Sequence, residues 1–209
     1  MRNKGMLLLL FLAVLLLFAS CDSSPGNTLD ELLDTQAKMN IKSGNIDCLF
    51  EGSNLVVTID YTIENISDME LQEILVKNPE FKETTVEYID VIFNDDDAIK
   101  IPDIKGQNRS ENVAFPTPVK PGEYFDIRLK YEVSGFELPN GGKKTWRWVI
   151  PYLDATALTE EFQGMPIKIS FDQNLELISS VPLGFVKEDE GYGNTLNGLI
   201  NMIILEVAN

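Results

Sequence analysis

Leu55, Val57, Ile59, Tyr61 and Ile63 alternate with Val56, Thr58, Asp60, Thr62 and Glu64. Successive side chains of a strand point to opposite faces, so this run forms a half-buried strand with one dry and one wet face. Phe125, Ile127, Leu129, Tyr131 and Val133 repeat the pattern against Asp126, Arg128, Lys130 and Glu132. A sheet with one apolar face must bury it against another layer, and these two runs are the anchor strands of such a structure.

The same period dominates from Asn45 onward. Glu51-Gly52-Ser53 has the composition of a hairpin turn joining Ile46–Phe50 to the first anchor strand, and Asn140-Gly141-Gly142 marks a second turn region before Trp146. Further strands are expected at Met69–Val76, Thr85–Phe93, Lys100–Ile101, Thr145–Ile150, Pro166–Phe171, Leu175–Ser180 and Leu199–Val207. Many short strands separated by turn signals predict an all-β fold, an antiparallel β-sandwich over residues 45–209. Residues 145–209 supply extra strands or a small second sheet.

The N-terminus reads differently. Arg2 and Lys4 precede an uncharged, Leu-rich run from Met6 to Ser20, shorter than the roughly 20 residues that cross a hydrocarbon core. A basic start, a short apolar region and small residues at its end have the form of a signal peptide. With Phe18-Ala19-Ser20-Cys21 at its end, the segment resembles a bacterial lipoprotein signal. That resemblance implies removal of residues 1–20, lipidation of Cys21, and a protein held at the cell membrane or envelope on its extracytoplasmic side. Residues 21–27, with Ser23, Ser24, Pro25 and Gly26, suit a flexible tether. Over 28–44 a short helix and linker are expected. Thr28 and Glu31 have the spacing of a capping box, and Leu29, Leu32 and Leu33 form an apolar stripe.

The chain carries 17 basic and 33 acidic residues, a net charge of −16, and loss of Arg2 and Lys4 makes the remainder more acidic still. Such a surface repels phosphate backbones, so no nucleic-acid partner is expected. It also repels anionic head groups, leaving the lipid on Cys21 as the evident membrane contact. With Cys21 lipidated, Cys48 has no disulfide partner. Alternation with Ile46 and Phe50 makes it a small buried hydrophobe on a strand.

Leu55 to Asn65, followed by Ile66-Ser67-Asp68, then Leu71 to Pro79, and later Val119-Lys120-Pro121-Gly122-Glu123 leading into a long alternating strand, resembles the immunoglobulin-like modules of bacterial surface proteins. The resemblance implies an immunoglobulin-like sandwich and covers about Leu55 to Val133. Residues 145–209 depart from it.

The 209 residues contain no histidine. That excludes a serine or cysteine hydrolase relying on a histidine of this chain, and withholds the commonest zinc ligand. No phosphate-binding Gly-rich loop or dinucleotide fingerprint is present. Asn94-Asp95-Asp96-Asp97 follows a predicted strand. Asp95, Asp96 and Asp97 offer oxygen ligands to Ca²⁺, although they lack the spacing of an EF-hand loop, and a solvated turn is the competing reading. Glu188-Asp189-Glu190 carries the same ambiguity. Trp146 and Trp148 share one strand face with Ile150, either as core or, on an exposed face, as a stacking platform for sugar rings or a peptide. Lys143, Lys144 and Arg147 form a basic cluster that pairs with the acidic remainder of the molecule or docks an anionic partner.

The expectation is therefore a lipid-anchored extracytoplasmic module that binds a protein or glycan partner without catalysis and without a cofactor other than Ca²⁺. An envelope assembly factor pairing through an edge strand is the alternative, and a carboxylate- or metal-dependent enzyme ranks third.

Overall fold

A computed structural model describes residues 38–78, 85–94, 96, 99–102, 109–154, 156–159, 162–171, 175–198 and 202–209. The signal peptide, Cys21, the tether and the helix expected after Thr28 lie outside these residues, as do Asp95 and Asp97. Among the described residues no helix is long and apolar enough to cross a membrane.

Residues from Ala37 to the C-terminus form one contact unit. It is all-β, with fifteen described strands: β1 (Met39–Glu51), β2 (Asn54–Asn65), β3 (Leu71–Asn78), β4 (Thr85–Phe93), β5 (Ile99–Pro102), β6 (Arg109–Val119), β7 (Tyr124–Ser134), β8 (Lys143–Val149), β9 (Tyr152–Leu153), β10 (Thr156–Leu158), β11 (Met165–Phe171), β12 (Glu176–Val181), β13 (Val186–Glu188), β14 (Gly191–Leu196) and β15 (Met202–Ala208). A large sheet has the order β13-β14-β11-β1-β2-β7-β4-β5, with β10 alongside β1. Two three-stranded sheets, β12-β15-β8 and β6-β3-β9, complete the described part.

The anchor strands are central neighbours, pairing antiparallel from Asn54↔Ser134 to Glu64↔Tyr124. This register places Leu55, Val57, Ile59, Tyr61 and Ile63 on the same face as Val133, Tyr131, Leu129, Ile127 and Phe125, all buried. Both small sheets cover that face. Phe50 of β1 stacks on Trp146 of β8 at 4.5 Å between ring centroids, while Phe115 of β6 meets Phe93 of β4 at 4.9 Å and Phe125 of β7 at 5.0 Å. Each fully buried aromatic or branched aliphatic side chain contributes about 1.5–3 kcal/mol of transfer free energy. The layers are held by one continuous apolar core.

Three features depart from the pattern expected of the sequence. Strand β1 begins at Met39, within the stretch expected to be short helix and linker; a register shift between Ile41 and Ser43 interrupts its alternation, so no single period runs through it. The large sheet is mixed rather than purely antiparallel, since β1 runs parallel to β10 and to β11. Parallel neighbours require a long crossover, which leaves no local turn signature. Strand β6 contains Pro116 and Pro118, which read as strand breakers. It lies at the edge of its sheet, and both prolines fall where the pairing jumps from Leu71↔Val119 to Glu73↔Ala114, so neither is asked for a ladder hydrogen bond.

The hairpin at Gly52-Ser53 forms as expected, with Glu51 opposite Asn54 and Gly52 at φ 61°. The two turns after Asn65 and Val119 meet each other. Buried Asn65 donates its side-chain amide to the carbonyls of Met69 and Val119, each at 2.9 Å, and its Oδ1 accepts from the Ser67 N–H and hydroxyl. Its backbone N–H reaches the Glu123 carbonyl, and its own carbonyl accepts from Gly122. Every polar group of this buried residue is satisfied, which makes the end of the domain a fixed knot.

Candidate functional site

The large sheet has a second face, and its strands dictate its chemistry. Positions alternating with the core residues place Asn45 and Asp47 of β1, Asp60 and Thr62 of β2, Asp126 and Arg128 of β7 and Lys168 of β11 on the uncovered side. Arg128 Nε donates to Asp60 Oδ1 at 2.6 Å, and Thr62 Oγ1 donates to Asp126 Oδ1 at 2.8 Å. Asn94, in the left-handed region at φ 47°, accepts the Asp126 backbone N–H on its Oδ1 at 2.9 Å. Asn45, Asp60, Thr62, Asn94, Asp126 and Arg128 line a groove of about 380 Å³ whose polar groups mostly serve one another.

Asn45 also borders a second groove of about 510 Å³, lying over β1, β11, β14 and β13. Gly193 lines this groove, and Gly191 lies two residues away on the same strand. Gly193 lies under the Glu188 carboxylate, and a Cβ there would overlap the carboxylate oxygens; Gly191, at φ 137°, packs so closely on the Ile169 carbonyl that a Cβ has no room. The Glu188-Asp189-Glu190 run forms the turn of the β13–β14 hairpin, where Glu188 opposes Gly191. Lys168 Nζ lies 2.9 Å from Glu190 Oε2; the pair holds the Glu190 carboxyl below its ordinary range and raises the Lys168 ammonium above its own.

One rim of this groove is apolar and open. Val186 and Leu183 are 66 % and 80 % exposed, and Val181 and Ile178 of the neighbouring β12 are also exposed. Among the described residues β13 ends the large sheet and β12 ends a small one, and the two are joined through residues 182–185. The Asn194 side-chain amide donates to the Leu183 carbonyl at 3.0 Å and holds the connection against β14. Two edge strands joined by residues 182–185 thus carry four exposed apolar side chains within 178–186 and form one open corner. Such a corner can hydrogen-bond an extended chain through its backbone and seat apolar side chains beside it.

The residues singled out in the sequence are dispersed. Trp146 and Trp148 face the core, 3 % and 0 % exposed, and so cannot serve as a surface platform. Trp146 Nε1 donates to the Glu137 carbonyl at 2.9 Å, and both indoles pack around Phe50 and Phe136. Asp96 is exposed, and its backbone N–H closes a turn on the Phe93 carbonyl. Among the described residues no group of three or more carboxylate or thiol side chains is placed to hold a metal ion. Cys48 is buried and free, and burial pushes its thiol far above the ordinary range, with Asp47 adding to the effect. In the basic cluster, Lys143 pairs with Glu206 at 3.3 Å and Lys144 with Glu137 at 2.7 Å, while Arg147 is exposed.

The open corner escaped sequence reading. Its glycines and acidic turn resemble a loop, and the apolar residues of 178–186 lack a clean alternation; only the short runs either side of Gly191 hinted at paired strands.

No protein-family model matches the chain, and no curated protein matches it in sequence. Among solved structures it is similar to native yeast LTA4 hydrolase, with a TM-score of 0.50, 7 % identity, and 81 % of this chain against 29 % of that one. It is also similar to an M1 zinc metallopeptidase from Deinococcus radiodurans, with a TM-score of 0.49, 12 % identity, and 83 % of this chain against 43 % of that one. The chain therefore spans well under half the length of either protein, and at these identities the likeness concerns the fold alone.

Proposed function

We propose that the protein is a lipid-anchored extracytoplasmic interaction module: Cys21 carries the lipid, the leader of residues 21–27 gives reach, and the β domain engages a protein partner without catalysis. The observation that carries the binding half is the corner of β12 and β13, where open backbone edges lie beside the exposed side chains of Ile178, Val181, Leu183 and Val186. Soluble domains seldom leave an apolar rim against two open edges unless something covers it. An extended polypeptide segment matches this surface better than a sugar, because the aromatic platform a glycan needs is in the core.

The same corner favours the envelope assembly factor as the second reading, in which β12 or β13 pairs with a strand of a stoichiometric envelope component. Within the domain, strands β2 to β7 divide into the antiparallel set β2-β7-β4-β5 and the pair β3-β6. This division supports reading residues 54–134 as an immunoglobulin-like sandwich to which the remaining strands are added. The Deinococcus neighbour is a zinc metallopeptidase by name, whereas this chain contains no histidine.

Photo-crosslinking in intact cells from position 186 tests the binding reading. A defined partner crosslinked from Val186 but not from Glu132, on the uncovered face of β7, is the expected result. Equal, diffuse crosslinking from both positions would contradict a corner-directed partner and leave the corner as ordinary surface.

A further inference from the structure

The chain enters the described domain at Lys38, and the carbonyl of Lys38 accepts the Ile66 N–H at 3.0 Å. The Asn65 knot therefore lies where any tether must arrive. Around it stand three exposed apolar side chains, Ile66, Met69 and Tyr124, the last two 65 % and 58 % exposed. Each is within one residue of a group bonded to Asn65: Met69 through its own carbonyl, Ile66 by sequence, and Tyr124 through Glu123.

We propose that this end of the domain is a membrane-docking surface, with Ile66, Met69 and Tyr124 inserting shallowly among the head groups of a lipid bilayer. The inference rests on the reading of Cys21 as lipidated, which delivers the domain to a membrane through Lys38. Chemistry favours a bilayer over a protein partner here. Tyrosine is the interfacial residue that keeps its hydroxyl wet while its ring is buried, and flexible methionine and isoleucine supply apolar depth. Lys42 stands beside them, its Nζ 5.8 Å from the Tyr124 ring centroid and 3.1 Å from Glu64 Oε2, with a stem long enough to keep its charge in the head-group region. Asp68, Glu70 and Glu123 in the same turns oppose an anionic surface, so the lipid is a zwitterionic one. The knot holds the side chains in place before contact, which lowers the ordering cost of insertion. A second contact of this kind complements an acyl anchor, since stable attachment commonly combines two signals.

Nitroxide labels on the full-length protein in phosphatidylcholine vesicles test the proposal, with one label at Met69→Cys and a reference at Leu183→Cys. Accessibility to oxygen and to an aqueous nickel complex gives the depth of each label, and palmitate labelling of the same preparations reports the anchor. The expected result is an acylated protein whose label at 69 loses most of its nickel accessibility on vesicle binding, while the label at 183 remains water-accessible. Adding Ile66→Ser and Tyr124→Ser should return the label at 69 to water without lowering the melting temperature. An acylated protein whose label at 69 stays fully water-accessible overturns docking and leaves the anchor standing. A protein that takes up no acyl group overturns the anchor itself, and the docking inference with it.

Discussion

The hydroxyl of Tyr192, on β14 of the large sheet, accepts the backbone N–H of Leu177, on β12 of a small sheet, at 3.1 Å. Leu177 pairs with Val207 of β15 beside the register shift between Leu177 and Ser179, and its N–H is answered from the large sheet. The bond ties β12, at the edge of its small sheet, to β14, the neighbour of the edge strand β13 in the large sheet. Tyr192→Phe is expected to cost about 1 kcal/mol, the net worth of one partly buried hydrogen bond, with little change in the urea m-value. Urea unfolding followed by tryptophan fluorescence measures it.

Tyr131 presents the opposite case. Its hydroxyl is buried and has no hydrogen-bond partner among the described residues, and burial holds its ionisation well above the ordinary phenol range. Tyr131→Phe removes an unsatisfied polar group and keeps the ring, so stability should be unchanged or rise by up to about 1 kcal/mol. Trp148→Ala, in the same core, should instead cost about 3–5 kcal/mol, although its indole Nε1 is likewise buried without a hydrogen-bond partner among the described residues. Both variants remove an unsatisfied polar group and only the second empties the core, so the difference between the two unfolding midpoints reports the packing lost with the indole.

Gly191→Ala should destabilise severely, by about 2 kcal/mol or more, since φ 137° disfavours any side chain and the new Cβ would collide with the Ile169 backbone. Gly52→Ala, in an open turn at φ 61°, meets no atom within 4 Å and should cost only the smaller conformational penalty. Thermal melts of the pair rank the two effects.

Cys48 predicts an alkaline limit to stability. Burial raises its pKa in the folded state, so the folded protein keeps a proton that the unfolded chain releases. The stabilising contribution is whole below the ordinary thiol value, about 8.5, and declines as pH rises above it, by roughly 1.4 kcal/mol per pH unit. Tyr61, raised by burial in the same way, adds a second loss above about pH 10. Unfolding free energies measured from pH 7 to 10 should fall from about pH 8.5 in the parent. In Cys48→Val they should stay level to about pH 10. Parallel pH profiles for the two proteins would refute the assignment.

The central sheet was readable because its strands bury one face only. The alternation from Leu55 to Ile63 and from Phe125 to Val133 is the direct imprint of a core on one side and water on the other. The burial of Trp146, Trp148 and Cys48 follows from the same period. Parallel pairing of β1 with β11 left no local trace, because the chain between them passes through nine other strands. The grooves on the outer face were illegible for a related reason: Asn45, Asp60, Asp126 and Lys168 are separated widely in sequence and read individually as solvated polar positions. The Asn65 knot was half visible, since its two turns were recognised but not their contact.

Acyl labelling at Cys21 addresses the anchored module most directly. Cells expressing the full chain or Cys21→Ser are grown with a labelled fatty acid, and the protein is isolated and sized. The expected result is a labelled, shortened protein from the parent, and from the variant an unlabelled protein that keeps its leader. Label persisting on the Cys21→Ser protein, or a parent that is shortened without label, would contradict lipidation at Cys21.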